Sequence, residues 1–120
     1  LLIDPPFEQF SDWDACVSVL AEINRRMRQC VTAIWYPIKD RRQLGRFRQG
    51  LKKSEVPKLL NAELMVNPPD NAMGLNGSGV AIVNPPWGLE SELKILLPLL
   101  AAALEQGRAS WTLVWLVEEK

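Results

Sequence analysis

Two tetrapeptides in this chain carry residue types suited to one chemistry, Asp4-Pro5-Pro6-Phe7 and Asn84-Pro85-Pro86-Trp87, and each follows directly on an apolar run. A carboxylate only accepts hydrogen bonds, so Asp4 can take one proton of an exocyclic amine such as adenine N6. Pro5 and Pro6 have fixed φ and no N–H, which stiffens the turn and leaves the Pro5 carbonyl to accept the second proton. With both protons held, the nitrogen lone pair is less delocalised into the ring and can be aimed at an electrophilic methyl group. That is catalysis by orientation more than by proton removal. Phe7 offers a flat face for an extruded base, a contact worth roughly 1 to 3 kcal/mol. The Asn84 side-chain carbonyl can accept an amine proton much as a carboxylate does, with Trp87 as its aromatic neighbour. Residue chemistry alone leaves the two motifs nearly tied, and either tetrapeptide also serves as a turn with no chemistry.

The charge pattern says what such a site would act on. The net charge of the 120 residues is zero, yet 11 of the 14 lysines and arginines fall between Arg25 and Lys58, opposed only by Asp40 and Glu55. That segment carries +9 and the remainder −9. A basic patch beside an amine-methylating motif points to a polyanionic substrate, with a pair of solvated helix faces as the plainer alternative. Arg41, Arg42, Arg46 and Arg48, joined by Lys52 and Lys53, are the candidates for holding phosphates. Histidine is absent, which excludes Ser-His or Cys-His catalysis and any His-ligated metal site within this chain. Cys16 and Cys30 would stand about 21 Å apart on one continuous helix, beyond disulfide or metal-sharing reach, and fit buried reduced thiols of a cytosolic protein. No apolar run is long enough to span a bilayer.

The elements that must position these residues alternate. Leu1 to Asp4 reads as the end of a buried parallel strand. Ser11 with Asp14 forms a capping box, and Trp13, Cys16, Val17, Leu20, Ile23 and Met27 recur at helical spacing to about Gln29. Val31 to Ile38 is the next parallel strand. Asp40 can cap a second helix with Leu44, Phe47 and Leu51 inward and its six basic residues outward. Lys58 to Val66 reads as a strand, residues from Asn67 to Gly79 as a flexible connection, and Val80 to Val83 as another strand. A third helix from Leu89 is stopped by Gly107, with Pro98 kinking it or starting a new segment. Trp111, Leu113, Trp115 and Val117 then alternate as a half-buried last strand. With 48% hydrophobic residues, the chain is one small α/β domain or part of a larger one, and the helix-free connection before Val80 predicts an antiparallel hairpin there.

LLIDPPFEQFSDW, AIWYPIKDR, VPKLLNAEL, NGSGVAIVNPPW and WTLVWLV together resemble, in order and over essentially all 120 residues, the carboxyl half of the bacterial 23S ribosomal RNA adenine-N6 methyltransferases of the RlmJ family. The resemblance implies a Rossmann-like class I methyltransferase fold, S-adenosylmethionine as cofactor and an adenosine of 23S rRNA as substrate in the cytoplasm. It implies that Asp4, Pro5, Pro6 and Phe7 are the catalytic motif, Phe7 standing where the family often has Tyr, so stacking survives and a phenolic hydrogen bond is lost. It also places Asn84, Pro85, Pro86 and Trp87 on the far hairpin, as a structural turn within reach of RNA. Homologues have been named for use of external DNA as well. The rival readings are a DNA adenine-N6 or cytosine-N4 methyltransferase and a non-catalytic nucleic-acid-binding module.

The sequence departs from a complete enzyme of that kind in one respect. No G-x-G-x-x-G follows a strand, and Gly74, Gly77 and Gly79 read as loop glycines before one, so the cofactor-binding residues are expected upstream of Leu1. The expectation is therefore a carboxyl-terminal part of a single methyltransferase domain, inactive alone, whose first strand has an unpaired edge open to self-association.

Overall fold

The computed structural model describes residues 2–4, 10–39, 41–54, 56–66, 76–104 and 109–117, without the side chains of residues 10, 11 and 41. Its elements are β1 (Leu2–Ile3), α1 (Phe10–Arg26), β2 (Thr32–Ile38), α2 (Arg41–Lys52), β3 (Leu59–Met65), β4 (Gly77–Val83), α3 (Leu89–Ala103) and β5 (Ser110–Val117). They build a five-stranded sheet in the order β1-β2-β4-β3-β5. β1 runs parallel to β2, while β4 is antiparallel to both its neighbours and β5 is antiparallel to β3. The expected hairpin is β3 with β4, and β1 is an edge strand.

Helical periodicity decides what covers the sheet. Trp13, Cys16 and Leu20 of α1 and Leu44, Phe47 and Leu51 of α2 are all buried, spaced so that each set lines one stripe. Both stripes pack on the sheet face that carries Ile34, Tyr36, Ile38, Leu59, Ala81 and Val83. At its centre Trp13, Tyr36 and Phe47 meet edge to face, with ring centroids 4.9 to 6.1 Å apart, the arrangement that ring quadrupoles favour. α3 lies against β3 and β5, burying Leu97 and Ala101.

Several elements differ from their sequence expectation, each for a physical reason. α1 already begins at Phe10, which puts Ser11 inside the first turn and not at the cap; Asp40 as cap of α2 lies outside the described residues. α1 ends at Arg26, and the Cys30 amide closes a turn onto the Met27 carbonyl at 3.0 Å. Pro98 neither ends α3 nor splits it: a proline removes one main-chain hydrogen bond, and the buried Leu97 and Ala101 clamp the helix on both sides of it. In β5 a register shift opposite Leu59 and Leu60 breaks the alternation, so that Leu116 and Val117 both pack against the core while Trp111 stays exposed.

The largest revision concerns the glycines. Gly77 and Gly79 are residues of β4 and not of the preceding loop. Gly79 pairs with Tyr36 on one side and Glu63 on the other, and a Cβ there would lie 2.3 Å from the Tyr36 ring. The missing side chain is the gap through which Tyr36 crosses β4 to reach β3.

Candidate functional site

The two candidate motifs leave the sheet in opposite directions. Ile3 pairs with Ile34 in parallel, so Asp4 continues toward the end of the sheet at which β2 finishes with Ile38. Val83 pairs with Thr32 in antiparallel, so Asn84 continues toward the end at which β2 begins. The first end holds the carboxyl ends of the parallel strands, where open α/β sheets place their ligands. Asp4 is exposed there; Pro5, Pro6 and Phe7 lie outside the described residues.

Asn84 is occupied otherwise. Its side-chain amide donates to the carbonyls of Arg28 at 2.7 Å and Cys30 at 3.0 Å, and its main-chain N–H donates to the Lys58 carbonyl at 3.2 Å. Its φ of 53° is left-handed, a conformation that asparagine tolerates better than most residues. These bonds tie the turn after β4 to the connection between α1 and β2 and to the start of β3. The motif is thus built as a turn, and at its tip Trp87 is fully exposed.

The basic residues divide along α2. The helix starts at Arg41, beside the end of β2 where Asp4 emerges, and delivers Lys52 and Lys53 to the opposite end of the sheet. Arg42, Arg46, Lys52 and Lys53 are exposed, and Arg46 Nη2 lies 3.2 Å from Asp14 Oδ2 on the solvated surface between α1 and α2. Arg48 corrects the outward-facing set. It follows Phe47 and lies one turn from both Leu44 and Leu51, so it emerges at the margin of the buried stripe, and its Nε and Nη2 donate to the two carboxylate oxygens of Glu63.

Glu63 is the residue that sequence reasoning missed. Its side chain is completely buried, in a row formed by Tyr36, Gly79, Glu63 and Thr112 across four strands. Oε2 accepts from the Tyr36 hydroxyl at 2.6 Å, Asn61 Nδ2 at 3.1 Å and Arg48 Nε at 3.1 Å; Oε1 accepts from Arg48 Nη2 and from Thr112 Oγ1 at 3.2 Å. The single Tyr36 proton is shared with Asn61 Oδ1, also 2.6 Å away. Burial alone would raise the Glu63 pKa, but the bonds from Arg48, Tyr36 and Asn61 outweigh it and hold the carboxyl below its ordinary range. Tyr36 is pushed upward, first by burial and then by the Glu63 charge, and stays protonated. The sequence signal was a lone acid in the apolar run LLNAELM with a glycine opposite it, visible only once the strand register is known.

Burial, then the neighbouring Asp12, pushes the Cys16 thiol up to about 11, which leaves it an inert core residue. Both cysteines are free thiols. Among the described residues no cluster of acids and thiols could hold a metal, and no helix is long and apolar enough to cross a membrane.

Comparison with known proteins agrees with this architecture. Residues 1–117 match the family model described as ribosomal RNA large subunit methyltransferase D, RlmJ. The ribosomal RNA large subunit methyltransferase J of Haemophilus influenzae is 39% identical over 120 residues, and that of Escherichia coli K12 is 38% identical. In both cases 99% of this chain is covered, and the chain spans 43% of the relative's length. The crystal structure of a Legionella pneumophila protein of family-model DUF519 superposes with a TM-score of 0.84 at 23% identity, over 94% of this chain and 42% of that one.

Proposed function

This chain belongs to the RlmJ family of ribosomal RNA large subunit methyltransferases, and from that premise we propose that the polypeptide containing it methylates N6 of an adenosine in 23S rRNA, with Asp4 receiving the target amino group. The observation that carries the reading is the position of Asp4: an exposed carboxylate immediately after a parallel strand, at the carboxyl end of the sheet. In this reading Asp4 accepts one amine proton, the Pro5 carbonyl accepts the other, and Phe7 stacks on the extruded base. The nitrogen is aimed, and its surplus proton would pass to Asp4 and on to water only as the new C–N bond forms and the donor's C–S bond breaks. S-adenosylmethionine would supply the methyl group, and Asp4 and the residues after it make the acceptor side.

Arg41, Arg42, Arg46, Lys52 and Lys53 hold phosphates of the RNA in this proposal, and Arg48 does not, since its guanidinium is committed to Glu63. Such a protein acts in the bacterial cytoplasm, where ribosomal RNA is. The test is methyl incorporation by the full-length protein from labelled S-adenosylmethionine into 23S rRNA, with the product nucleoside identified by mass spectrometry. N6-methyladenosine that disappears in Asp4→Ala supports the reading. Methyl transfer to duplex DNA in preference to RNA, or full activity in Asp4→Ala, overturns it.

A further inference from the structure

We infer that the end of the sheet opposite Asp4 carries a second contact for the RNA substrate, in which Trp87 stacks on an unpaired base; the inference rests on the reading of this protein as an RNA-modifying enzyme. A side chain as large and apolar as tryptophan is usually buried or at an interface. Trp87 is fully exposed, and the turn beneath it is rigid. Pro85 and Pro86 fix their own φ, Asn84 is tied to the Arg28 and Cys30 carbonyls, and Gly88 with φ 88° turns the chain into α3. A ring presented this way loses little conformational freedom when a ligand lands on it.

Beside the ring lies an open depression of about 660 Å³ lined by Lys58, Pro86, Trp87, Glu90 and Trp115 among others. Trp115 Nε1 donates to Glu90 Oε2 at 2.6 Å, which fixes both side chains in its wall. The depression therefore offers a flat aromatic face, a carboxylate able to accept from an exocyclic amino group, and an ammonium at its rim. Arg28, whose carbonyl meets the Asn84 side chain, is exposed beside the turn, and Lys52 and Lys53 stand at the same end of the sheet, while Glu90 and Glu92 of the first turn of α3 add acids, so the surroundings carry both signs. An aromatic platform with cations beside it is a combination that binds single-stranded nucleic acid, and a base carrying an amino group toward Glu90, followed by its phosphate toward Lys58 and Arg28, matches it in shape and charge. The chemistry at Asp4 needs none of this; the contact would hold a flanking stretch of the same RNA.

The experiment uses the full-length protein and unlabelled RNA. Binding of a short unstructured segment of 23S rRNA to wild type, Trp87→Ala, Trp87→Phe and Lys58→Ala is measured directly, without methyl donor, and thermal stability is measured on each. Stacking of one base predicts a loss of roughly 5- to 150-fold in affinity for Trp87→Ala, a largely restored affinity for Trp87→Phe, a smaller loss with a shallower salt dependence for Lys58→Ala, and unchanged Tm. Unchanged affinity in Trp87→Ala overturns the inference. So does a lowered Tm in Trp87→Ala, which would mean that another segment of the polypeptide packs on the ring, and so does equal, Trp87-dependent binding of duplex DNA. Failure of the methyltransferase reading is distinct: wild type would then bind the RNA through Trp87 and transfer no methyl group to it.

Discussion

Asp4-Pro5-Pro6-Phe7 and Asn84-Pro85-Pro86-Trp87 are near copies as strings, yet their first residues leave the sheet at opposite ends. The acid of the first emerges exposed at the carboxyl end of the parallel strands. The amide of the second has spent its donors on two main-chain carbonyls at the other end. A polar side chain can meet a substrate only where the fold leaves it accessible, and that depends on strand direction, which four residues cannot encode.

The largest effects should come from pressing this contrast at both ends. Asp4→Ala in the full-length protein is expected to lower methyl transfer by at least about 100-fold, the order of loss for a misplaced reactive group, with the fold and its Tm intact. Asn84→Ala should leave the chemical step within a few-fold of wild type and register instead in stability. Single-turnover methylation beside thermal melts reads both, and an inactive Asn84→Ala of normal Tm would reverse the assignment.

Between the two ends lies the Tyr36, Gly79, Glu63, Thr112 row, where the contrast is sharpest: here a carboxylate is fully spent. Replacing Glu63 by Gln removes the charge that Arg48 answers, and about 3 kcal/mol of stability should go with it, the cost of opening a buried pair. The pH dependence has a definite sign. The folded pKa of Glu63 is below its unfolded value, so its contribution is complete above the ordinary carboxylate range and is lost as pH falls through the folded pKa. Glu63→Gln should therefore be less stable at neutral pH and should lose part of the acid-induced destabilisation of the parent. Denaturant melts at neutral and acid pH decide it; parallel pH profiles would remove Glu63 from the account.

How much of this was legible in the residues differs by kind of information. Periodicity was enough for the stripes of α1 and α2, since Trp13, Cys16 and Leu20 and likewise Leu44, Phe47 and Leu51 repeat at helical spacing and are buried. The lack of a helical sequence pattern between Asn67 and Gly79 was enough for the hairpin. Register was not legible: Gly79 reads as a loop residue until β4 is seen to lie between Tyr36 and Glu63. Arg48 reads as a solvent-facing residue for the same reason, because its partner Glu63 is on a strand whose alignment no local pattern fixes. The candidate site was legible as chemistry, while the choice between the two motifs came only from the family resemblance, because residue types do not tell the ends of the sheet apart and parallel against antiparallel pairing does.

A smaller effect is expected at the Asn84 turn itself. Asn84→Ala removes both side-chain bonds, at about 1 kcal/mol each, together with tolerance for the left-handed backbone. A loss of roughly 2 kcal/mol is the expectation, and Asn84→Gly, which keeps the backbone conformation, should recover part of it. If the glycine variant were no more stable than the alanine one, the side-chain bonds alone would hold the turn.

The smallest effect belongs to the surface of α2. Arg46 and Asp14 form a pair that is mostly exposed on both sides, and such pairs contribute little to stability, about 0.5 kcal/mol or less. If the guanidinium also meets a phosphate of the RNA, Arg46→Ala should lower the slope of log affinity against log salt by about 0.7 to 0.9 while barely moving Tm. Arg48→Ala should do the reverse, since its charge serves Glu63: a large drop in Tm and little change in the salt slope. Measured together, the two variants separate a cation that faces the substrate from a neighbour, two positions along the same helix, that faces the core.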